Sequence, residues 1–266
     1  MVADFISADF GWLRSPDGKE SAQVLFRAGK NRDGYFKNED ILAHTRKAMD
    51  ILEKYYPEHK HIFVFDNAPT HLKRAADALS ARKIPKGTSA ADKNWGVEVA
   101  RTASDGSLVY DATGKVEKVK IKMGNAKLPD GTLQPLYFPD GHIHAGLFKG
   151  MAVILQERGL HEESRLRAEC TKFKCPPGET RCCCQWVLFN QPDFVAVESL
   201  LEVECQSRSF QVLFLPKFHC ELNFIEQCWG YAKRIYRQFP ASSREADLEN
   251  NVVAALNSVP LTSMRR

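Results

Sequence analysis

No apolar run in this 266-residue chain reaches the roughly 18 residues that a membrane-spanning helix needs. The opening residues, MVADFISADFGW, carry acids where a secretory leader carries cations, so no leader is expected. No segment repeats. There is no glycine-rich phosphate loop, and no serine or cysteine nucleophile stands beside a base. A strong excess of one charge is missing too. The net charge is +4, from 37 Lys and Arg against 33 Asp and Glu. That balance permits a polyanionic partner without demanding one. With 44% hydrophobic and 26% charged residues, the chain can bury a sizeable core, and disorder is not the default.

The eight cysteines lack the paired Cys-x-x-Cys spacing. Without a leader they are expected to be reduced thiols of an intracellular protein. Five of them, Cys170, Cys175, Cys182, Cys183 and Cys184, fall within fifteen residues around Pro176, Pro177 and Gly178. Structural zinc takes four soft ligands around a tight loop. The sequence leaves two readings open here: a structural Zn²⁺ site, with His142, His144 or His161 as a further ligand, or a reduced, partly buried thiol cluster.

The elements alternate. MVADFIS and SAQVLF read as strands. Residues 38–56 read as a helix capped by Asn38 or Asp40 and stopped by Pro57. HIFVFD (61–66) and FQVLFLP (210–216) read as strands buried on both faces. Helices are expected over 71–82, 144–160, 193–207, 218–237 and 243–259. Residues 83–192 differ in character, with Gly-, Asp- and Lys-rich hairpins followed by the cysteine loop. They read as an insertion within one domain spanning 1–266. The fold class is α/β, with a mixed sheet flanked by helices and a long insertion before the last core strand.

Three carboxylates stand where such a sheet builds sites. Asp66 ends a strand, at the rim where α/β proteins bind ligands. Asp4 lies within the first strand, alternating with Val2 and Ile6, and is costly there unless paired or bound to a cation. Glu226 opens a helix. On that helix Leu222, Ile225, Trp229, Ala232 and Tyr236 form an apolar stripe, widened by Phe224, Cys228, Tyr231 and Ile235. Glu221 falls within this inward arc and reads as an N-terminal charge. Glu226 shares the outward arc with Asn223, Gly230, Lys233 and Arg237. Three converging carboxylates could hold two Mg²⁺ or Mn²⁺ ions and leave places for phosphate oxygens. Acids near strand ends are common, so spacing alone carries this weakly. The basic stretches 115–122 and 231–237 are each an ordinary solvated face or a phosphate-contacting one. Cys220 and Cys228 read as packing residues.

The motifs VFDNAPTH and LFLPKFHCELNFIEQCWGYAKR resemble the DDE superfamily endonucleases, the catalytic domains of mariner-type transposases. In that family a buried strand ends in Asp-Asn-Ala-x-x-His. A later strand runs through Leu-Pro into an acid-Leu-Asn-x-Ile-Glu-x-x-Trp-Gly-x-x-Lys-Arg helix. The resemblance covers residues 1–82 and 210–266, and the middle looks like an insertion of a eukaryotic subgroup. It implies a ribonuclease-H-like fold and catalytic, metal-binding roles for Asp4 (rather than Asp9), Asp66 and Glu226. It implies DNA contacts by His71, His219, Asn223, Lys233 and Arg237. The implied chemistry is hydrolysis of a DNA strand, then attack of the freed 3′-hydroxyl on target DNA, in the nucleus and without a membrane. The assembly stays open between a single chain and a homodimer. The rival reading is a catalytically inactive, transposon-derived DNA-binding or interaction domain.

Two features depart from the family. Its second and third acids are usually a few dozen residues apart, whereas here they stand at 66 and 226. Its full-length members also carry a helix-turn-helix region before the first strand. This chain starts at that strand and ends at LTSMRR, which reads as a fragment or a degenerate copy.

Overall fold

The computed structural model describes residues 1–104 and 106–265, without the side chains of Phe173 and Cys220. The chain divides into two compact units. Unit 1 comprises residues 1–73 and 198–266, and unit 2 comprises residues 74–197. In chain order unit 1 begins with β1 (Val2–Ala3), β2 (Ile6–Ser7), β3 (Gly11–Trp12), β4 (Val24–Leu25), α1 (Asn38–Tyr55) and β5 (Ile62–Phe65). Unit 2 holds β6 (Val97–Ala100), β7 (Lys118–Ile121), β8 (Ala126–Lys127), β9 (Leu133–Gln134), α2 (Met151–Glu157), α3 (His161–Arg165), α4 (Cys184–Phe189) and α5 (Pro192–Val195). Unit 1 resumes with α6 (Leu200–Ser207), β10 (Gln211–Phe214), α7 (Ile225–Tyr236), α8 (Glu245–Asn257) and α9 (Leu261–Met264).

The α/β class holds, but the sheet is not continuous. Among the described residues the strands form five two-stranded sheets. Four are antiparallel, and β5 with β10 is parallel, Ile62 facing Gln211 and Phe65 facing Phe214. Among the described residues no extended mixed sheet of the ribonuclease-H kind is shown.

In α1 the apolar residues Ile41, Ala48, Met49, Ile51 and Leu52 recur at helical spacing and are all buried. Asp40 starts the helix by accepting the Lys37 backbone N–H at 2.7 Å. Asn38 does not cap; its side-chain amide donates to the Thr70 carbonyl. The α1 stripe packs on Phe63 and Phe65 of β5 and on Leu201 and Cys205 of α6. Each such large side chain, fully buried, contributes about 1.5–3 kcal/mol. A second core in unit 1 joins Trp12 to Ile225, Cys228 and Ala232 of α7 and to Ala255 and Leu256 of α8.

Several sequence expectations are corrected. Strand β5 is not buried on both faces: Phe63 and Phe65 are buried, but Ile62 is 54% and Val64 43% exposed. Leu213 on β10 is 53% exposed as well. A two-stranded sheet with helices on one side needs only one apolar face covered. Residues 71–82 form turns rather than a helix. Their carbonyls serve other segments: within unit 1 the Lys73 carbonyl accepts from Leu200 N–H, and within unit 2 the Asp77 carbonyl accepts from Gly124 N–H. The helix expected over 144–160 is confined to α2. Gly146 and Gly150 sit at φ +75° and +82°, which breaks the helix, and a Cβ on Gly150 would lie 2.2 Å from the Gly87 carbonyl oxygen. The helix expected over 193–207 is two helices. Ser199 caps the second, its hydroxyl accepting Glu202 N–H while the Glu202 carboxylate accepts Ser199 N–H.

Candidate metal and nucleic-acid site

Unit 1 contains a cleft of about 590 Å³ whose walls include Asp4, Asp66, His71, Asn223, Glu226 and Trp229. These residues come from three distant stretches of the sequence.

Asp4 lies between β1 and β2 and is 6% exposed. Its carboxylate accepts the Phe5 backbone N–H at 2.8 Å and the Gln23 amide at 3.1 Å. Burial pushes its pKa up to about 6, although both hydrogen bonds and the charges of Arg14 and Lys47 pull the other way. A divalent cation nearby would reverse that balance by favouring the charged form. Phe5 fixes the segment, its ring packing against His44, Phe63 and Phe65.

Asp66 follows directly on β5, at its carboxyl end. The His71 imidazole stands over it, Nδ1 being 2.5 Å from Asp66 Oδ1 and 3.1 Å from the Asp66 carbonyl oxygen. The well-directed hydrogen bond is the one to the carbonyl, so the inaccessible Oδ1 has the imidazole beside it but no hydrogen bond of its own. Such an oxygen is one a cation could satisfy. The neighbouring Asn67 donates to the Leu215 carbonyl at 3.3 Å and ties the end of β5 to the end of β10.

Glu226 lies in the first turn of α7. The wheel drawn from the sequence holds for this helix: Ile225, Cys228 and Ala232 are buried, while Glu226, Gly230, Lys233 and Arg237 are exposed. Nothing lies within 4 Å of a Cβ placed on Gly230, so this face is open. Among the described residues no carboxylate forms an ion pair with Lys233, Arg234 or Arg237, and Glu226 pairs with no cation. A second cleft, of about 450 Å³, is lined by Glu226, Trp229 and Lys233 together with Met1, Val2 and Tyr236. Glu226 therefore borders both clefts.

Other expectations change at this site. Leu222 is 58% exposed and belongs to a short 3₁₀ turn (Cys220–Leu222) before α7, not to its apolar stripe. Glu221 sits on the same turn and is exposed rather than turned inward. It pairs with His219 at 2.7 Å, and that contact lowers its pKa. His219 is thereby engaged locally and does not line the large cleft. Cys228 is buried among packing residues, and the side chain of Cys220 lies outside the described residues. The basic stretch 115–122 is largely engaged within unit 2. Glu117 pairs with Arg101, Lys118 pairs with Glu98, and Lys122 lies over the Tyr137 ring.

Among the described residues, the group of side chains close enough to share a metal is a cysteine quartet in unit 2, not the three carboxylates. Cys170, Cys175, Cys182 and Cys183 place their sulfur atoms within 4.8 Å of one another and could hold a structural zinc. Cys184, a ligand candidate by sequence, is excluded. It is fully buried, and its thiol faces the carbonyls of Leu166, Glu163 and Ser164 at 3.2, 3.4 and 3.7 Å. The histidines 142, 144 and 161 are not in the group.

Sequence reasoning missed three features at or beside the cleft. Trp229 reads as a stripe residue, yet it lines both clefts and its buried indole N–H has no partner among the described residues. Gln23 carries no motif, yet it holds Asp4. His44 lies on α1 and is buried with Nε2 unpaired among the described residues, and burial drives its pKa down to about 4. Its position on the inward face of α1 was the available signal. No helix among the described residues is long and apolar enough to cross a membrane. No family model, no curated protein and no solved structure matches the chain.

Proposed function

We propose that unit 1 is a metal-dependent DNA endonuclease and strand-transfer domain of the mariner transposase type, with a ribonuclease-H-like core as the finer form of its fold. One observation carries the reading: Asp4, Asp66 and Glu226, far apart in sequence, line a single cleft together with His71 and Asn223. All three acids are oxygen donors, which suit hard divalent cations. Two Mg²⁺ or Mn²⁺ ions, when bound, supply an activated water and charge neutralisation at the scissile phosphate.

The chain's own groups then have defined tasks. Asp66 and Glu226 would offer carboxylate oxygens from the cleft wall, and a cation beside the buried Asp4 would favour its charged form. Asn223 and His71 orient a phosphate oxygen. Lys233 and Arg237, which form no ion pair among the described residues, hold flanking phosphates, while Gly230 lets the backbone of the DNA approach α7. The water oxygen bonds to phosphorus and the P–O3′ bond breaks. The leaving oxygen takes up a proton, giving a 3′-hydroxyl and a 5′-phosphate. In strand transfer that 3′-hydroxyl is the nucleophile on target DNA. Such a substrate implies a nuclear site of action, and two DNA ends would favour a homodimer.

A second reading, a DNA-binding domain without catalysis, is favoured by the burial of Asp4 and by the absence, among the described residues, of a carboxylate group close enough to share a metal. Nicking of supercoiled DNA separates the two. The endonuclease reading expects Mg²⁺-dependent nicking that Asp66→Asn abolishes. Equal nicking by wild type and Asp66→Asn sinks it, and DNA binding with no nicking supports the silent domain.

A further inference from the structure

We infer that Cys170, Cys175, Cys182 and Cys183 form a structural Zn²⁺ site in unit 2, a tetrathiolate that folds the loop 170–183. This inference is independent of the nuclease reading. It starts from a loop that cannot fold on apolar burial. Residues 176–181 are all exposed, and the segment contains only one 3₁₀ turn (Thr171–Phe173) before α4. Yet Cys170 and Cys183, at its two ends, are 3% and 1% exposed. Buried thiols at both ends of an exposed loop, with the Cys175 and Cys182 thiols beside them, suit a common metal partner.

The geometry fits one ion. Zinc binds thiolate at about 2.3 Å in a tetrahedron, which sets the sulfur–sulfur edges at about 3.8 Å. The quartet lies within 4.8 Å, and the Cys182 and Cys183 sulfurs are 3.9 Å apart. A contraction of under about 1 Å completes the tetrahedron. None of the four is joined in a disulfide. An iron–sulfur cluster puts several iron and sulfide atoms between its thiolates, and this spacing leaves no room for them.

The surroundings suit a doubly negative metal–thiolate centre. Lys172 and Lys174 lie within the same loop. Outer contacts brace it. Arg167 donates to the Cys182 carbonyl at 3.3 Å, and the Trp186 indole donates to the Glu179 carbonyl at 2.7 Å. Cys184 and Gln185 N–H donate to the Arg167 and Ala168 carbonyls, pinning the start of α4. Cys184 is thus an anchor, its thiol turned to three carbonyls, and not a ligand.

The test uses the full chain purified without chelator. Elemental analysis is expected to find about one zinc per chain. Replacement by Co²⁺ should give the intense absorption of a tetrahedral tetrathiolate. Cys182→Ser, a change at one of the two half-buried ligands, should lower the zinc content more than about tenfold, because a lost ligand opens the closed site. Cys184→Ser should keep full zinc, as should Cys205→Ser in unit 1. The inference is overturned by zinc below about one tenth per chain in wild type, by iron in its place, by disulfides among the four, or by a zinc content that Cys182→Ser leaves unchanged.

Discussion

Asp4→Asn removes a charge that the fold buries, and it should stabilise the metal-free protein. The Asp4 pKa rises from 3.8 to about 6 on folding. Two pKa units correspond to about 3 kcal/mol. The folded state binds this proton more tightly than the unfolded chain. The contribution is therefore fully present below about pH 3.8 and is lost as pH rises through about 6. His44 has the opposite sense. Its pKa falls from 6.5 to about 4, so its contribution is present above pH 6.5 and is lost as pH falls through about 4. The two nearly cancel in wild type, whose stability should vary little between pH 4 and pH 6.5 on their account. Asp4→Asn exposes the effect. Gln23 can turn its amide to keep a hydrogen bond to the new side chain. At pH 7.5 without divalent ions the variant should gain about 3 kcal/mol, or roughly 6–12 °C in Tm. At pH 4 the gain should vanish. Millimolar Mn²⁺ should raise the Tm of wild type and not that of the variant. Thermal unfolding at the two pH values, with and without Mn²⁺, reads all of this. An equal effect of Asp4→Asn at pH 4 and 7.5, or equal Mn²⁺ stabilisation of both proteins, refutes the reasoning.

Other parts of the molecule can be tested in the same way. His44→Leu should remove the acid-side contribution, so that unit 1 loses about 3 kcal/mol less than wild type between pH 6.5 and pH 4, read by denaturant melts. Gly230→Ala should stabilise α7 by roughly 0.5–1 kcal/mol, since space is open there, while weakening DNA binding measured by fluorescence anisotropy. In unit 2, Arg158 and Asp193 form a two-pronged pair with contacts of 2.9 and 2.8 Å, and their side chains are 2% and 10% exposed. Asp193→Ala should cost about 3–5 kcal/mol in chemical unfolding, because it leaves Arg158 buried without its carboxylate. Changing Lys233 and Arg237 together to Gln should flatten the salt dependence of DNA binding by about 0.9 per lost phosphate contact.

The sequence was most readable where one pattern decided one outcome. The stripe of α1 and the outward arc of α7 follow from spacing, because a helix with one buried side admits a single rotation. Asp66 at a strand end and Glu226 at a helix start follow from the same reasoning. Where tertiary partners compete, the pattern misled. Residues 71–82 have helix-forming composition, but their carbonyls serve Leu200 and Gly124 instead. The apolar runs of β5 and β10 do not say which face a neighbour will cover, and Ile62, Val64 and Leu213 end up exposed. Cys184 is indistinguishable from Cys183 by sequence. It leaves the metal-ligating group because α4 begins there and turns its thiol toward the carbonyls of residues 163–166. Trp229 lines the cleft and Gln23 holds Asp4 through contacts no local motif encodes.

The central claim is that Asp4, Asp66 and Glu226 act as one metal site. Counting Mn²⁺ bound per chain in the presence of duplex DNA, in wild type and in Asp4→Asn, Asp66→Asn and Glu226→Gln, tests it directly. The account predicts about two ions in wild type and about one or none in each variant. The same count in wild type and all three variants would contradict it.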